Sequence, residues 1–323
     1  MPTSNETRVI DPVLQGFVES YMNAQTSYVF PTGRAFPILT TSEKTGTYLK
    51  WADAAFKGRG NAFPMGGDLA RGYKGDYQTA PPRAVTTATF SCVDYGEKDY
   101  IDRTQESDTD SVLDLRGGLT SGLMSDVLIA AERRLTTILQ ATGTITQNDT
   151  LTGTDQWSDA DNSSPVTDIT LAVDTIRIAT QGGLGATHDL VAITNPTTWN
   201  ALKFHPELAG AITNNRNQLF STSDFMEFFG ITDLMIPDCV ANSANVGQSV
   251  SGAYLWADNF IVLARPKNPS SATSSAGYIF ERDAIAVESD RFDKRRDEIL
   301  VSHRTDEKLV NVKNAYLIKD CLA

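Results

Sequence analysis

Histidine and cysteine are scarce in this chain. Its three histidines, His188, His205 and His303, are scattered over 323 residues, and none falls in the HExxH or comparable spacing of a helical metal site. Its three cysteines, Cys92, Cys239 and Cys321, are odd in number and far apart. That is neither a disulfide framework nor a CxxC site, and it suits free thiols in a reducing cytoplasm. No apolar run approaches the ~20 residues a membrane span requires. The opening residues, MPTSNETRVIDP, lack the apolar core of a secretory signal. A soluble protein made in the cytoplasm is expected.

A basic excess is also missing. The 28 Lys and Arg against 40 Asp and Glu leave a net charge of −12, whereas tight duplex binding rests on a basic face. There is no GxSxG elbow and no Walker loop. Gly182-Gly183-Leu184-Gly185 precedes a strand instead of following one, the wrong order for a dinucleotide loop, and reads as a turn. The acid pairs Asp297-Glu298 and Asp306-Glu307 stand in adjacent positions, as surface charges do. A glycosidase needs two carboxylates converging across a cleft. These absences assign no catalytic residue, no metal ligand and no cofactor, and the chain is read as non-enzymatic.

What is present is a strong pattern of elements. Residues 8–25 show an amphipathic helical spacing through Ile10, Val13, Leu14, Phe17, Tyr21 and Met22, followed by the extended Tyr28–Gly33. Ile38 to Trp51 and Ala84 to Val93 read as two strands. Between them lies a glycine-rich, basic stretch carrying Lys57, Arg59, Arg71 and Lys74, so the whole suggests a long β-hairpin with a cationic tip. A loop of that length inside a compact domain implies a function. Residues 107–141 give the longest helical signal, with Leu115, Leu119, Leu123, Val127, Leu128, Leu135 and Leu139 on one face. Gly117 and Gly118 predict a bend or break near its start.

The polar stretch 143–166 reads as a surface loop. From 168 onward the pattern is α/β. It has a helix over 169–180, a buried strand at 190–194, a helix opened by Asn195-Pro196, a short strand at 234–237, and a hairpin of 254–256 with 260–264 around Asp258-Asn259. The end of the chain, 278–323, alternates strand-like segments with dense charge of both signs and closes on Ala315-Tyr316-Leu317-Ile318.

This order of elements resembles the major capsid proteins of tailed bacteriophages, with the HK97-type fold. The phrases that carry the resemblance are TTATFSCVDYGEKDY at 86–100, SDVLIAAERRLTTIL at 125–139, DLVAITNP at 189–196 and NAYLIK at 314–319, and it covers nearly the whole chain. The resemblance implies an α+β capsid fold in four parts. These are an N-arm over 1–34, an extended β-hairpin E-loop over 35–91, a P-domain with a long spine helix over 92–142 and 281–310, and an α/β A-domain over 143–280 and 311–323.

It further implies that the subunit assembles with copies of itself, as hexamers and pentamers, into an icosahedral shell. That shell encloses double-stranded DNA without sequence-specific binding, within a virion assembled in the host cytoplasm. Separate scaffolding, portal and decoration proteins are implied as partners, the first because Met1 opens the chain with no long helical segment ahead of the arm. An acidic subunit avoids adhering to packaged DNA. On this reading Lys57, Arg59, Arg71 and Lys74 of the E-loop meet Asp290, Asp293 or Asp297 of a neighbour, and Glu132, Arg133 and Arg134 pair across subunits. Two other readings stay open: an encapsulin-like nanocompartment shell, and an α/β hydrolase or lyase with a long lid hairpin.

Overall fold

The computed structural model describes residues 11–16, 22, 27–51, 73, 75–76, 85–108, 114–180, 183–211, 221–242, 244, 248–249, 251–270 and 273–323. Of the helix expected over 8–25, residues 12–16 and Met22 are helical; the rest lies outside the described residues. The segment Ile38 to Trp51 is divided between two sheets. Its first part, β1 (Ile38–Thr40), pairs in parallel with β11 (Gly277–Arg291). Its second, β2 (Thr45–Trp51), pairs antiparallel with β3 (Val85–Ser91), from Thr45 opposite Ser91 to Trp51 opposite Val85.

The base of this β2–β3 ribbon is fixed by aromatic packing. The Phe90 ring stacks on Phe280 of β11 at a centroid distance of 4.3 Å, and Tyr48 lies 5.2 Å from the same ring. Gly46 sits beneath Phe90, where a Cβ would stand 2.6 Å from a ring carbon, so only glycine fits without displacing the ring.

The first large sheet has the order β1-β11-β12-β4, with β12 (Arg296–Leu309) antiparallel to both β11 and β4 (Val93–Asp102). A short helix, α1 (Arg103–Asp108), follows β4, and the long helix is α2 (Leu115–Leu139). The long helix begins at Leu115 with Asp114 non-helical before it, so the break expected near Gly117-Gly118 is present and falls just ahead of the glycines. The cause is the cap. The Asp114 carboxylate accepts the N–H of Gly117 at 2.8 Å, and a side chain at Gly117 would collide with that carboxylate. Leu123, Met124, Val127, Leu128, Ala131, Leu135 and Leu139 form the buried face of α2, in one core with Ile285, Val287, Ile299 and Val301 of the sheet.

The second sheet has the order β5-β13-β10-β6-β7: β5 (Asn148–Thr150), β13 (Ala315–Lys319), β10 (Phe260–Pro266), β6 (His188–Thr194) and β7 (Asp233–Met235). Its central strands carry continuous apolar runs, 190–193, 260–264 and 315–318, because both faces are covered there. Ile261, Leu263 and Leu317 face the core shared with α2. Phe260, Val262 and Ile318 face the opposite core, with Ile169, Ala172 and Ile176 of α3 (Pro165–Ala179). Asn195 caps α4 (Pro196–Phe204) by accepting the Thr198 N–H at 2.7 Å. Helix α5 (Pro206–Ala211) follows, and α6 (Thr222–Phe229) opens with a capping box between Ser221 and Asp224.

Two expectations for this half are corrected. Residues 254–256 and 260–264 do not form a hairpin. Here β9 (Gly252–Tyr254) pairs with β8 (Val240–Asn242), while β10 enters the large sheet between β6 and β13. The Asp258-Asn259 turn instead holds the chain's end: the Cys321 N–H donates to Asp258 O at 2.7 Å and the Asp320 N–H to Asn259 Oδ1 at 3.1 Å. Nor is 143–166 a plain surface loop. Trp157 is 1% exposed, its backbone N–H donates to Cys321 O at 2.7 Å, and its indole N–H donates to Asp168 at 2.9 Å.

Candidate assembly surface

The dense mixed charge of the C-terminal strands has a period of two. Ile299, Val301, His303 and Thr305 of β12 are buried. Glu298 and Arg304, at alternate positions, make ion pairs to the neighbouring strands on the other face of the sheet. Lys98 of β4 pairs with Glu298 at 3.1 Å, and Arg304 bridges Asp94 of β4 at 2.7 Å and Asp283 of β11 at 3.3 Å. Exposed pairs contribute only ~0–1 kcal/mol each; their register favours this strand order over its alternatives. At Gly96 a Cβ would lie 2.7 Å from both Ser302 Cβ and Val301 O, so the β4–β12 approach requires glycine.

The sequence placed Asp290, Asp293 and Asp297 at a rim that receives a neighbour. Asp297 is 8% exposed and is engaged within the subunit. Arg103 donates to Oδ1 through Nε at 2.9 Å and also through Nη2, and Arg116 donates to Oδ2 at 2.6 Å. Arg103, then Arg116, holds the Asp297 carboxyl below the usual carboxylate range. Arg116 also grips Glu106 at 2.6 Å.

Asp293 shapes the β11–β12 turn. It accepts the Arg295 and Arg296 N–H groups at 2.8 and 2.7 Å and Arg296 Nε at 2.9 Å. These bonds, the Arg295 N–H foremost, lower its pKa to about 2. Asp290 is exposed. With two of the three acids engaged inside the subunit, the turn presents Arg291, Lys294 and Arg295, all exposed. Phe292, 51% exposed, lies 4.7 Å from Tyr100, with Arg296 5.0 Å above the Phe292 ring.

Glu132, Arg133 and Arg134 are separated by the helix. Glu132 is fully buried and belongs to the subunit's interior, not to a contact between subunits. Its carboxylate accepts the N–H of Val29 at 3.1 Å, the N–H of Phe30 at 2.8 Å and the indole N–H of Trp256 at 2.7 Å. Burial holds its pKa above the ordinary value, against the pull of those donors. Arg134 faces β4 and β12: its guanidinium sits 3.7 Å over the Tyr95 ring and bonds Glu307 at 3.2 Å and His303 Nε2 at 3.0 Å. Arg133 is exposed. Lys57, Arg59, Arg71 and Lys74 lie outside the described residues.

Sequence reasoning missed Arg103, Arg116 and Trp256. Their partners lie 194, 181 and 124 residues away along the chain, and no local spacing announces such pairs. Among the described residues there is no group of His, Cys, Asp and Glu that could hold a metal ion, and no helix long and apolar enough to cross a membrane. All three cysteines are buried and free.

No protein-family model matches the chain, and no curated protein sequence matches it. Solved structures do. A phage-related protein from Bordetella bronchiseptica RB50 superposes with a TM-score of 0.71 at 19% identity, covering 98% of each chain. The capsid of the cyanophage P-SCSP1u matches with a TM-score of 0.54 at 11% identity, over 90% of this chain and 88% of that one. The chain has the HK97-type capsid fold. A virus-like particle from Pyrococcus furiosus shares the fold over 95% of this chain and 98% of its own, at 10% identity and a TM-score of 0.54. The mixed helix-and-sheet architecture agrees with the α+β class expected from the sequence.

Proposed function

We propose that this chain is a major capsid protein that assembles with copies of itself into an icosahedral shell around double-stranded DNA. One observation carries the reading. The likeness to a solved phage-related protein covers 98% of this chain, so the capsid fold accounts for nearly the whole of the given sequence. In this reading residues 1–34 are the N-arm, 35–91 the E-loop, 92–142 with 281–310 the P-domain, and 143–280 with 311–323 the A-domain. Arg133 and Asp290 are the described candidate positions exposed to a neighbour, and Lys57, Arg59, Arg71 and Lys74 complete that contact from the E-loop. The acidic balance of the chain, −12, supports a wall that does not bind its contents tightly. The subunit acts without catalysis, is a component of the virion put together in the host cytoplasm, and works with separate scaffolding, portal and decoration proteins.

Electron microscopy of the purified protein tests the reading: closed shells are expected, and monodisperse small particles under all assembly conditions would overturn it. Likeness to the virus-like particle favours one second reading, an encapsulin-like shell around a protein cargo. Nuclease-protected DNA extracted from native particles separates the two.

A further inference from the structure

The edge of β11 that faces away from β12 is only partly covered. β1 pairs with it at Ile279, Phe280 and Glu281, and among the described residues no strand pairs with that edge beyond this point. The β11–β12 register shifts between Glu281 and Ala286, a bulge that re-aims the strand. At Ile285 and Val287 the edge is met instead by a short helical turn, residues 12–16. Val287 N–H donates to Gln15 Oε1 at 3.2 Å, Gln15 Nε2 donates to Ile285 O at 3.4 Å, and Asp11 N–H donates to Val287 O at 3.2 Å.

Gln15 therefore stands in for a peptide group. Its carboxamide supplies one acceptor and one donor to alternate residues of β11, as a neighbouring strand would. Among the described residues the turn is lightly held elsewhere. Asp11 caps it by accepting the Val13 and Leu14 N–H groups at 3.0 and 3.3 Å. Leu14 is its buried side chain, and Val13 is 79% exposed. A unit with so little buried apolar surface opens without unfolding the rest. An uncovered strand edge, once bared, is a template for another chain.

We infer that residues 11–16 are a removable plug on a strand-addition site of β11, and that the strand they hold off is an extended segment of a second copy of this chain. An extended backbone carries the same acceptor and donors that Gln15 and the Asp11 N–H provide at 285 and 287, and it enters in line with β1 on the same edge. The choice of a second copy rests on the shell reading; the plug itself does not.

The test is hydrogen exchange on the unassembled full-length subunit, with Gln15→Ala and Gln15→Glu, together with sedimentation of each variant. Gln15→Ala, which removes both bonds, is expected to raise exchange over 284–288 by roughly five- to a hundredfold, the worth of two net hydrogen bonds. Gln15→Glu, which keeps the acceptor and loses the donor, is expected to fall between. Both are expected to self-associate at lower concentration than the parent. Unchanged exchange over 284–288 in Gln15→Ala overturns the plug. Raised exchange with unchanged self-association overturns the second copy as occupant, whether or not the parent protein forms shells.

Discussion

Removing the Phe280 ring is expected to detach the β2–β3 ribbon from the rest of the subunit. Phe280 is 3% exposed. Phe90 of β3 lies nearly parallel to it, at 4.3 Å and 4°, and Tyr48 of β2 approaches within 5.2 Å. These residues form one buried cluster with Cys92, Tyr278 and Val310, which joins both ribbon strands to β11. Truncating a buried phenylalanine costs ~3–5 kcal/mol through lost transfer energy and the cavity left behind. The stacked pair accounts for ~0.5–1.5 kcal/mol beyond area. Against a total stability of ~5–15 kcal/mol, Phe280→Ala is severe but survivable. The assay is equilibrium urea unfolding of the unassembled subunit, with hydrogen exchange over 45–51 and 85–91. A loss near 3–5 kcal/mol with faster exchange in both strands is expected, and Phe280→Leu is expected to lose less. A Phe280→Ala subunit within ~1 kcal/mol of the parent, with ribbon exchange unchanged, would refute the assignment of this cluster as the anchor.

Burial raises the Glu132 pKa above its ordinary 4.5, so its contribution is complete below that value and is lost as pH rises through the raised one. The stability of the parent relative to Glu132→Gln should fall over that window by at most ~1.4 kcal/mol per pH unit, and parallel urea midpoints across it would count against this. His205 has the mirror behaviour. Burial lowers its pKa from 6.5, and it accepts the Glu207 N–H at 3.3 Å beside Ser163 at 3.0 Å. Its contribution is present above pH 6.5 and lost as pH falls below it, so His205→Gln should flatten the acid limb of a stability–pH curve. Gly118→Ala, where a Cβ meets nothing within 4 Å, should stabilise the long helix by up to ~1 kcal/mol. Gly96→Ala, where a Cβ meets a backbone oxygen at 2.7 Å, should cost ~1–3 kcal/mol; thermal melts of the pair giving the same sign would contradict the packing described.

The elements most legible in the sequence were those whose cause is local. Leu190–Ile193 and Ala315–Ile318 are continuous apolar runs because both faces of their sheet are covered. Asn195-Pro196 announced a helix start because the cap and the proline act within three residues. The break expected near Gly117-Gly118 is present, but its place was not legible: Asp114, a cap three residues upstream, sets the start of the helix. The hairpin drawn around Asp258-Asn259 failed because β10 finds its partners at 188–194 and 315–318, and nothing in the turn records that. The candidate contacts divided on the same ground. Asp293 and Asp297 carry the charge expected of a rim. Arg295 and Arg296 at the turn, and Arg103 and Arg116 far along the chain, engage them first. Glu132 has the composition of a surface acid, and only the approach of Val29, Phe30 and Trp256 makes it an interior one.

The position of β13 has a consequence for biosynthesis. It lies between β5 and β10, with Leu317 opposite both Asn148 and Ile261. Until residues 315–319 have left the ribosome, the five-stranded sheet is split into β5 on one side and β10, β6 and β7 on the other, with both apolar cores open along the gap. Chains fold in the order they are made, so this half of a nascent subunit waits, incomplete, for a strand made more than a hundred residues after β6. A chain truncated before Ala315 would be an aggregation hazard instead of a shortened building block.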